Sequence, residues 1–429
     1  MVAIEDMDET FSNSCWPSMR FLKLREKNPA VGGIQRTVAQ SALRRYRSSM
    51  SRIRFRIVPP IDRANGPVWI SGNHPALGGW NPAEALPLEF DGVFHCGAIE
   101  AETGTRLEYK ITRGSWEMEE VDAYGNVPPN HHHDVWLDAT LHHTLPDWKD
   151  RYRGRLTRER IHSRILAGER DLLIWLPPGY AQENQTRFPV VFLNDGANVL
   201  DPRSSVISGV DWAADEWVGL LARQGVLPES IVVGICHPEG YAEDNLTMRD
   251  FELSPEFGGA AHAQFVSTEL VAHMDQHYRT IANRQARTLG GAGLGALNVF
   301  HAAISHPGIF SRFVCLSTSF EDVSQSLPLQ SASLQALEAE PALDAGIRMY
   351  FDHGDQGLDE CYGVYHTLLA ENFRAKGWSD GREFTIREIP GGSHSEISWR
   401  ARFGPALRFV NESPVGATSP QPPKNSARV

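Results

Sequence analysis

Residues 287–304 read RTLGGAGLGALNVFHAAI, with four glycines inside the six positions 290–295. An apolar run enters this cluster and a helix-forming run leaves it, so the chain is expected to turn from strand to helix there. Three readings fit. Gly291, Gly293 and Ala296 satisfy the dinucleotide pattern G-x-G-x-x-G/A, with Glu321 downstream as a ribose partner. That fingerprint normally opens the first βαβ unit, whereas several strand-like runs precede this one. Alternatively, residues 291–295 fit the nucleophile elbow G-x-S-x-G everywhere except the middle, where Gly293 stands in the serine position. The third reading is a packed turn with no chemistry.

The surrounding pattern is that of an α/β domain. RDLLIWLPPGY, FPVVFLNDG, SIVVGICHP, RFVCLSTSF, IRMYFDHGD and EFTIREIPGG read as strands, and WAADEWVGLLARQG and AQFVSTELVAHMDQHYRT read as helices between them. Asp359 and His394 each follow a late strand, in the order elbow, acid, histidine. In such a site the histidine takes the nucleophile's proton and the carboxylate fixes its tautomer. Asp355 competes for the acid's place.

Before residue 150 the texture differs. RFRIVPP, GPVWISG, GVFHCGAIE, TRLEYKITRG and HHHDVWLD are short strand-like runs separated by turn residues, which indicates a small antiparallel β-sandwich. The division expected is an N-terminal extension (1–50), the sandwich (51–145), a linker (146–160), an α/β domain (161–411) and a disordered tail (412–429).

Composition narrows the function classes. A net charge of -12 argues against a nucleic-acid binder, because phosphate neutralisation needs clustered Lys and Arg. No run approaches the roughly 18 apolar residues of a membrane span, and no secretory signal is evident near the start. Five widely spaced cysteines suit reduced thiols, hence a cytoplasmic setting. No cofactor is called for, and no CxxC or HExxH zinc motif is present. The tract His131-His132-His133, with His142 and His143, alternates faces if it is a strand, which makes a solvated strand end a better reading than a metal site.

The α/β region resembles the esterase family of α/β-hydrolases that includes enterochelin esterases, esterase D-like enzymes and carbohydrate acyl esterases. The resemblance spans roughly residues 160–410 and is carried by FPVVFLNDGANVLD, VDWAADEWVGLL, MRDFELSP, RTLGGAGLGAL, HPGIFSRFVCLSTSF, HGDQGLDE and GGSHSEISWR. It implies a three-layer sandwich, His394 as general base, Asp359 as its orienting acid, and an oxyanion hole from the N–H of Leu294 and of Gly196 or Ala197. Arg249 corresponds to a ligand-facing position, with an Arg249–Glu252 pair as the structural alternative. The implied substrates are carboxylic esters of a sugar-bearing or siderophore-like molecule.

The first module resembles a starch-binding carbohydrate module through VWISGNHPALGGWNP and LEYKITRGSWEMEEVDAYGNVPPN. By position, Trp80, Lys110, Trp116 and Asn130 are its sugar-site candidates, with Trp80 and Trp116 as mere core caps the alternative. The departure from the esterase pattern is Gly293. Glycine accepts strained elbow angles but removes the oxygen that forms an acyl-enzyme. An oxyanion hole and binding alone leave roughly 10³–10⁴-fold catalysis over water. Three accounts follow: a binding relative without hydrolysis, direct activation of water by His394, or a substitution that traps a ligand.

Overall fold

The computed structural model of the chain describes residues 49–61, 66–149, 154–181, 185–205, 209–242, 246–320 and 346–412. Glu321, nearly all of the N-terminal extension and the tail beyond 412 lie outside the described residues.

The first module contains β1 (Met50–Val58), β2 (Val68–Gly72), β3 (Leu86–Phe90), β4 (His95–Glu102), β5 (Arg106–Thr112), β6 (Glu120–Val121), β7 (His131–Asp134), β8 (Ala139–Thr144) and β9 (Asp147–Trp148). Seven of these form one curled sheet in the order β7-β5-β2-β3-β4-β1-β8, while β6 and β9 pair separately. Alternation explains why it folds: Ile53, Phe55 and Ile57 are fully buried while Arg52 and Arg54 face water. The sheet is antiparallel except at β1–β8, which pair in parallel.

The second domain carries β10 (Arg155–Ser163), β11 (Gly168–Leu176), β12 (Val190–Asn194), β13 (Ile231–Ile235), β14 (Arg287–Ala292), β15 (Arg312–Leu316), β16 (Arg348–Gln356) and β17 (Phe384–Ser393). The eight strands run in the order β10-β11-β13-β12-β14-β15-β16-β17. They are parallel from β13 onward, with β10 and β11 antiparallel at one edge. The described α-helices are α1 (Ala214–Arg223), α2 (Met248–Leu253), α3 (Gly259–Phe265), α4 (Val271–His277), α5 (Leu294–Ser305), α6 (Gly363–Ala375) and α7 (Glu396–Asn411).

Along β12, Val190 and Phe192 pack under α3, α5 and α6, while Val191 and Leu193 pack under α1 and α7. Both sheet faces are therefore covered, giving a three-layer sandwich. Two local expectations change. The sequence AQFVSTELVAHMDQHYRT is interrupted by a π-helical turn, Val266–Leu270, between α3 and α4. Residues 155–163, expected largely as linker, form edge strand β10, whose charged outward residues mask the burial of Leu156 and Ile161.

The modules meet along a polar seam. Arg400 on α7 donates to the Pro59 carbonyl (3.0 Å), and Glu216 on α1 accepts the Ile61 N–H (2.5 Å). Arg203 reaches Asp122 across the same boundary at 3.0 Å.

Candidate active site

Parallel strands deliver their carboxyl ends to one edge of the sheet, where loops carry polar groups. Gly293 follows β14 with φ 57° and ψ −122°, a left-handed backbone that favours glycine. Its N–H donates to the Leu316 carbonyl (3.0 Å), and its own carbonyl accepts from Leu297 (3.1 Å). The neighbouring glycines serve packing. A Cβ on Gly291 would stand 2.5 Å from the Gly295 backbone, and one on Gly295 would stand 2.9 Å from Asp195 Oδ2. Among the described residues other than its chain neighbours, a Cβ on Gly293 would meet His394 alone, 3.0 Å from Nε2 and 3.2 Å from Cε1.

His394 follows β17 and places Nδ1 2.8 Å from Asp359 Oδ1. Its ring is held edge-on by Trp399 (centroids 4.8 Å) and Tyr362 (5.9 Å). With Asp359 ionised, the Nδ1 proton lies in that bond and the Nε2 lone pair faces residue 293.

Asp359, in the turn Gly357–Cys361, is fully buried. Its Oδ2 accepts from the Ser317 hydroxyl (2.6 Å), the Gly354 N–H (2.8 Å) and Arg402 Nη2 (3.4 Å). Burial pushes the carboxyl up, but the hydrogen bonds from His394, Ser317 and Gly354 outweigh it and hold the group down to about 2. Asp355 instead accepts from the Gly391 N–H (2.7 Å) and the Gln356 amide (3.0 Å), so Asp359 is the carboxylate that faces the histidine.

Ser317 is fully buried with φ 45° and also accepts from Trp399 Nε1 (2.9 Å) and Arg402 (2.8 Å). Its hydroxyl is thus committed to the Asp359 oxygen that does not face His394. Arg402, Trp399 and Ser317 were invisible as site residues in the sequence, because nothing in a helix or strand pattern says which polar residue points inward.

On the other side of the elbow, β12 ends at Asn194, whose amide donates to the Gly295 carbonyl (3.0 Å). Asp195 then takes a left-handed φ of 60° and opens the turn Gly196–Asn198. This brings the loop holding Gly196 and Ala197 beside the start of α5, which holds Leu294. Arg249 grips Asp195 with Nε (2.5 Å to Oδ1) and Nη2 (2.8 Å to Oδ2), and Nη2 lies 3.4 Å from the Ala292 carbonyl. Burial would raise Asp195, yet the Arg249 charge holds it well below the ordinary carboxylate range. The Arg249–Glu252 pair considered from sequence does not form, because Glu252 is bound by Arg170. Glu396, at the start of α7, is buried, which pushes its carboxyl up; Asn198 Nδ2 lies 3.4 Å from it.

In the first module, Trp80 and Trp116 bring their rings to 6.3 Å with a 42° tilt, both half-buried. Asn130 is exposed. Lys110 is buried; its ammonium donates to the Pro128 carbonyl and lies 3.9 Å from Glu119. It supports the loop that carries Asn130 from beneath. His131 points to Glu120 (2.8 Å) and His143 to the Tyr109 hydroxyl (2.8 Å), while His132 is exposed. Among the described residues no helix is long and apolar enough to cross a membrane.

Comparison with known proteins finds matches in both modules. Residues 50–140 match the family described as "Starch binding domain". A curated relative, "Uncharacterized protein YbbA" of Bacillus subtilis (strain 168), is 23% identical over 172 residues, 38% of this chain; the match spans only 64% of that relative's length. Among solved structures, a ferulic acid esterase is 16% identical with a TM-score of 0.48, over 61% of this chain and 98% of that one. The enterobactin esterase FES from Shigella flexneri is 14% identical with a TM-score of 0.45, over 80% and 87% of the two chains. Residues 163–410, more than half of the chain, match the family described as "Putative esterase", and the chain belongs to that esterase family.

Proposed function

We propose that this protein recognises carboxylic esters carried on a glycan and works without an acyl-enzyme, His394 acting as general base on water while Asp359 fixes its tautomer. The observation that carries this reading is the space at the elbow. Nε2 of His394 stands 3.0 Å from where a residue-293 side chain would begin, and among the described residues beyond the chain neighbours no atom outside that ring lies within 4 Å. The base is aimed and supported, and only the nucleophile's oxygen is missing. Leu294, with Gly196 or Ala197, supplies the N–H groups for the oxyanion that develops when hydroxide adds to the ester carbonyl. The half-buried Trp80–Trp116 pair offers aromatic faces to a sugar, with Asn130 for hydroxyls and Lys110 holding their loop. Arg249 orders the elbow through Asp195 and the Ala292 carbonyl. The glycine itself favours a second reading, ester binding without turnover.

The test is hydrolysis of a short-chain aryl ester panel by the parent, His394→Ala and Gly293→Ser. Slow parental turnover that disappears in His394→Ala supports water activation. The serine variant is expected to gain at least ~100-fold, the imidazole yielding by a few tenths of an ångström. A parent at background whatever stands at 394, with the serine gain intact, establishes the binding protein. A fast parent to which serine adds nothing overturns the assignment of residue 293.

A further inference from the structure

A cleft of about 1000 Å³ is lined by Tyr124 of the first module and otherwise by residues of the second domain. Its outer wall is Tyr124 of the first module, with an exposed ring. Its inner end is Ala197, on the loop beside the elbow, and His237, whose Nε2 lies 3.5 Å from Asp195. Gly293, Asp359 and His394 are not among its walls.

The chemistry of the walls is specific. Four arginines and four carboxylates line the cleft, so its charges cancel. Most are already bound to one another: Asp171 takes Arg158 (3.0 Å) and Arg160 (2.5 Å), and Arg203 binds Asp201 (3.2 Å) and Asp122 (3.0 Å). The Arg203 guanidinium also lies 5.5 Å from the Tyr124 ring centroid, so the ring is held in place by the same group that joins the modules. With Arg170 also bound by Glu252 behind the wall, the cleft presents many fixed N–H donors and carboxylate acceptors and no excess of positive charge. An anion gains little from such a surface, and an apolar ligand would leave those groups unpaired. A neutral polyol satisfies both donors and acceptors, and a tyrosine ring suits the apolar face of a pyranose.

We infer that this cleft is a second glycan site, binding a neutral oligosaccharide that leads from the starch-binding module toward the elbow. It rests on the glycan half of the function proposed above and extends it, making the ester a substituent of the bound chain. The site is distinct from the Trp80–Trp116 face, because none of its walls includes either tryptophan.

The experiment is calorimetric titration of the full chain with maltoheptaose, with polygalacturonate as the anionic comparison. The double variant Trp80→Ala/Trp116→Ala is expected to keep one class of site. Adding Tyr124→Ala should weaken that class at least about tenfold, whereas Tyr124→Phe, which keeps the ring, should not. In the parent background, Tyr124→Ala alone should remove one of two binding classes, which covers a double variant that folds poorly. Loss of all binding in a folded double variant, indifference to Tyr124→Ala, or tighter binding of polygalacturonate would each overturn the proposal. None of these readouts depends on turnover, so failure of the esterase reading leaves a different signature: binding intact and no hydrolysis.

Discussion

Two buried carboxylate clusters lie on either side of helix α7, each served by an arginine from that helix. Arg402 reaches Asp359 at the elbow, and Arg400 reaches Asp211 (2.6 Å) and Glu216 (3.2 Å) at the module junction. Burial is nearly complete in both. Yet Asp359 is held down to about 2, whereas burial pushes Asp211 up to about 6, Asp215 to about 7, and Glu216 well above its ordinary value. The difference is how far each carboxyl's partners offset its burial. Asp359 receives His394, Ser317 and the Gly354 N–H, while Asp211 and Glu216 share the Arg400 guanidinium and repel one another and Asp215, which among the described residues has no such cation. Asp352 accepts from Arg402 (3.2 Å), the Ser317 N–H (3.1 Å) and the Tyr350 hydroxyl (3.3 Å) and is still pushed up to about 6 by burial, so partners alone do not keep a carboxyl charged. The elbow is built to keep its acid charged, and the junction is not.

The signs of the pH dependence are therefore opposite. A folded pKa below the unfolded one gives stability that is present above the unfolded value and lost as pH falls through the folded one. For Asp359 that window runs from the ordinary value of 3.8 down to about 2. The junction acids bind extra protons when folded, so their contribution falls as pH rises from about 4 to about 7.

The largest effect that would break this contrast is Arg400→Met, which leaves Asp211 and Glu216 buried without their cation. A loss of about 3–5 kcal/mol is expected at pH 8, with a much smaller one at pH 5, where the two acids can protonate. Equal losses at both pH values in urea unfolding would mean the junction acids are not raised. Next comes Asp359→Asn. Between pH 4 and pH 2 the parent should lose about 2 kcal/mol more than the variant, a step that adds to the loss from Asp195 in both. A parental curve without the step would remove the difference between the clusters. The smallest effect is Asp215→Asn, expected to stabilise the chain by on the order of 1 kcal/mol at pH 8 and not at pH 4. Thermal melting at the two pH values checks it, and stabilisation at both would assign the gain to packing.

Much of the architecture was legible because apolar periodicity survives wherever one face of a strand is dry. The RIRFRIV alternation became β1, and the continuous apolar runs FPVVFLN and SIVVGI became central strands covered on both faces. Legibility failed where water hides the pattern, as in charged edge strand β10. Of the elbow, the position of Gly293 and the order of Asp359 and His394 could be read along the chain. Asp355 against Asp359 could not, since the two are four residues apart and a β-strand end followed by a short helical turn decides which reaches the ring. Nothing along the chain marks Ser317, and only its hydroxyl's bonds to Asp359, Trp399 and Arg402 show that it is tied beneath the acid.

By itself, then, the sequence determined the two modules, the strand-to-helix turn at residue 293 and the absence of an oxygen there. These follow from local rules: side-chain periodicity, glycine's backbone freedom and the identity of one residue. The tertiary structure decided which acid holds His394, why that acid stays charged, where Arg249 spends its hydrogen bonds, and that Tyr124 of the first module lines a cleft of paired ions in the second. Each of these depends on which distant residues meet and how much water is left between them, and neither quantity is written in any single stretch of chain.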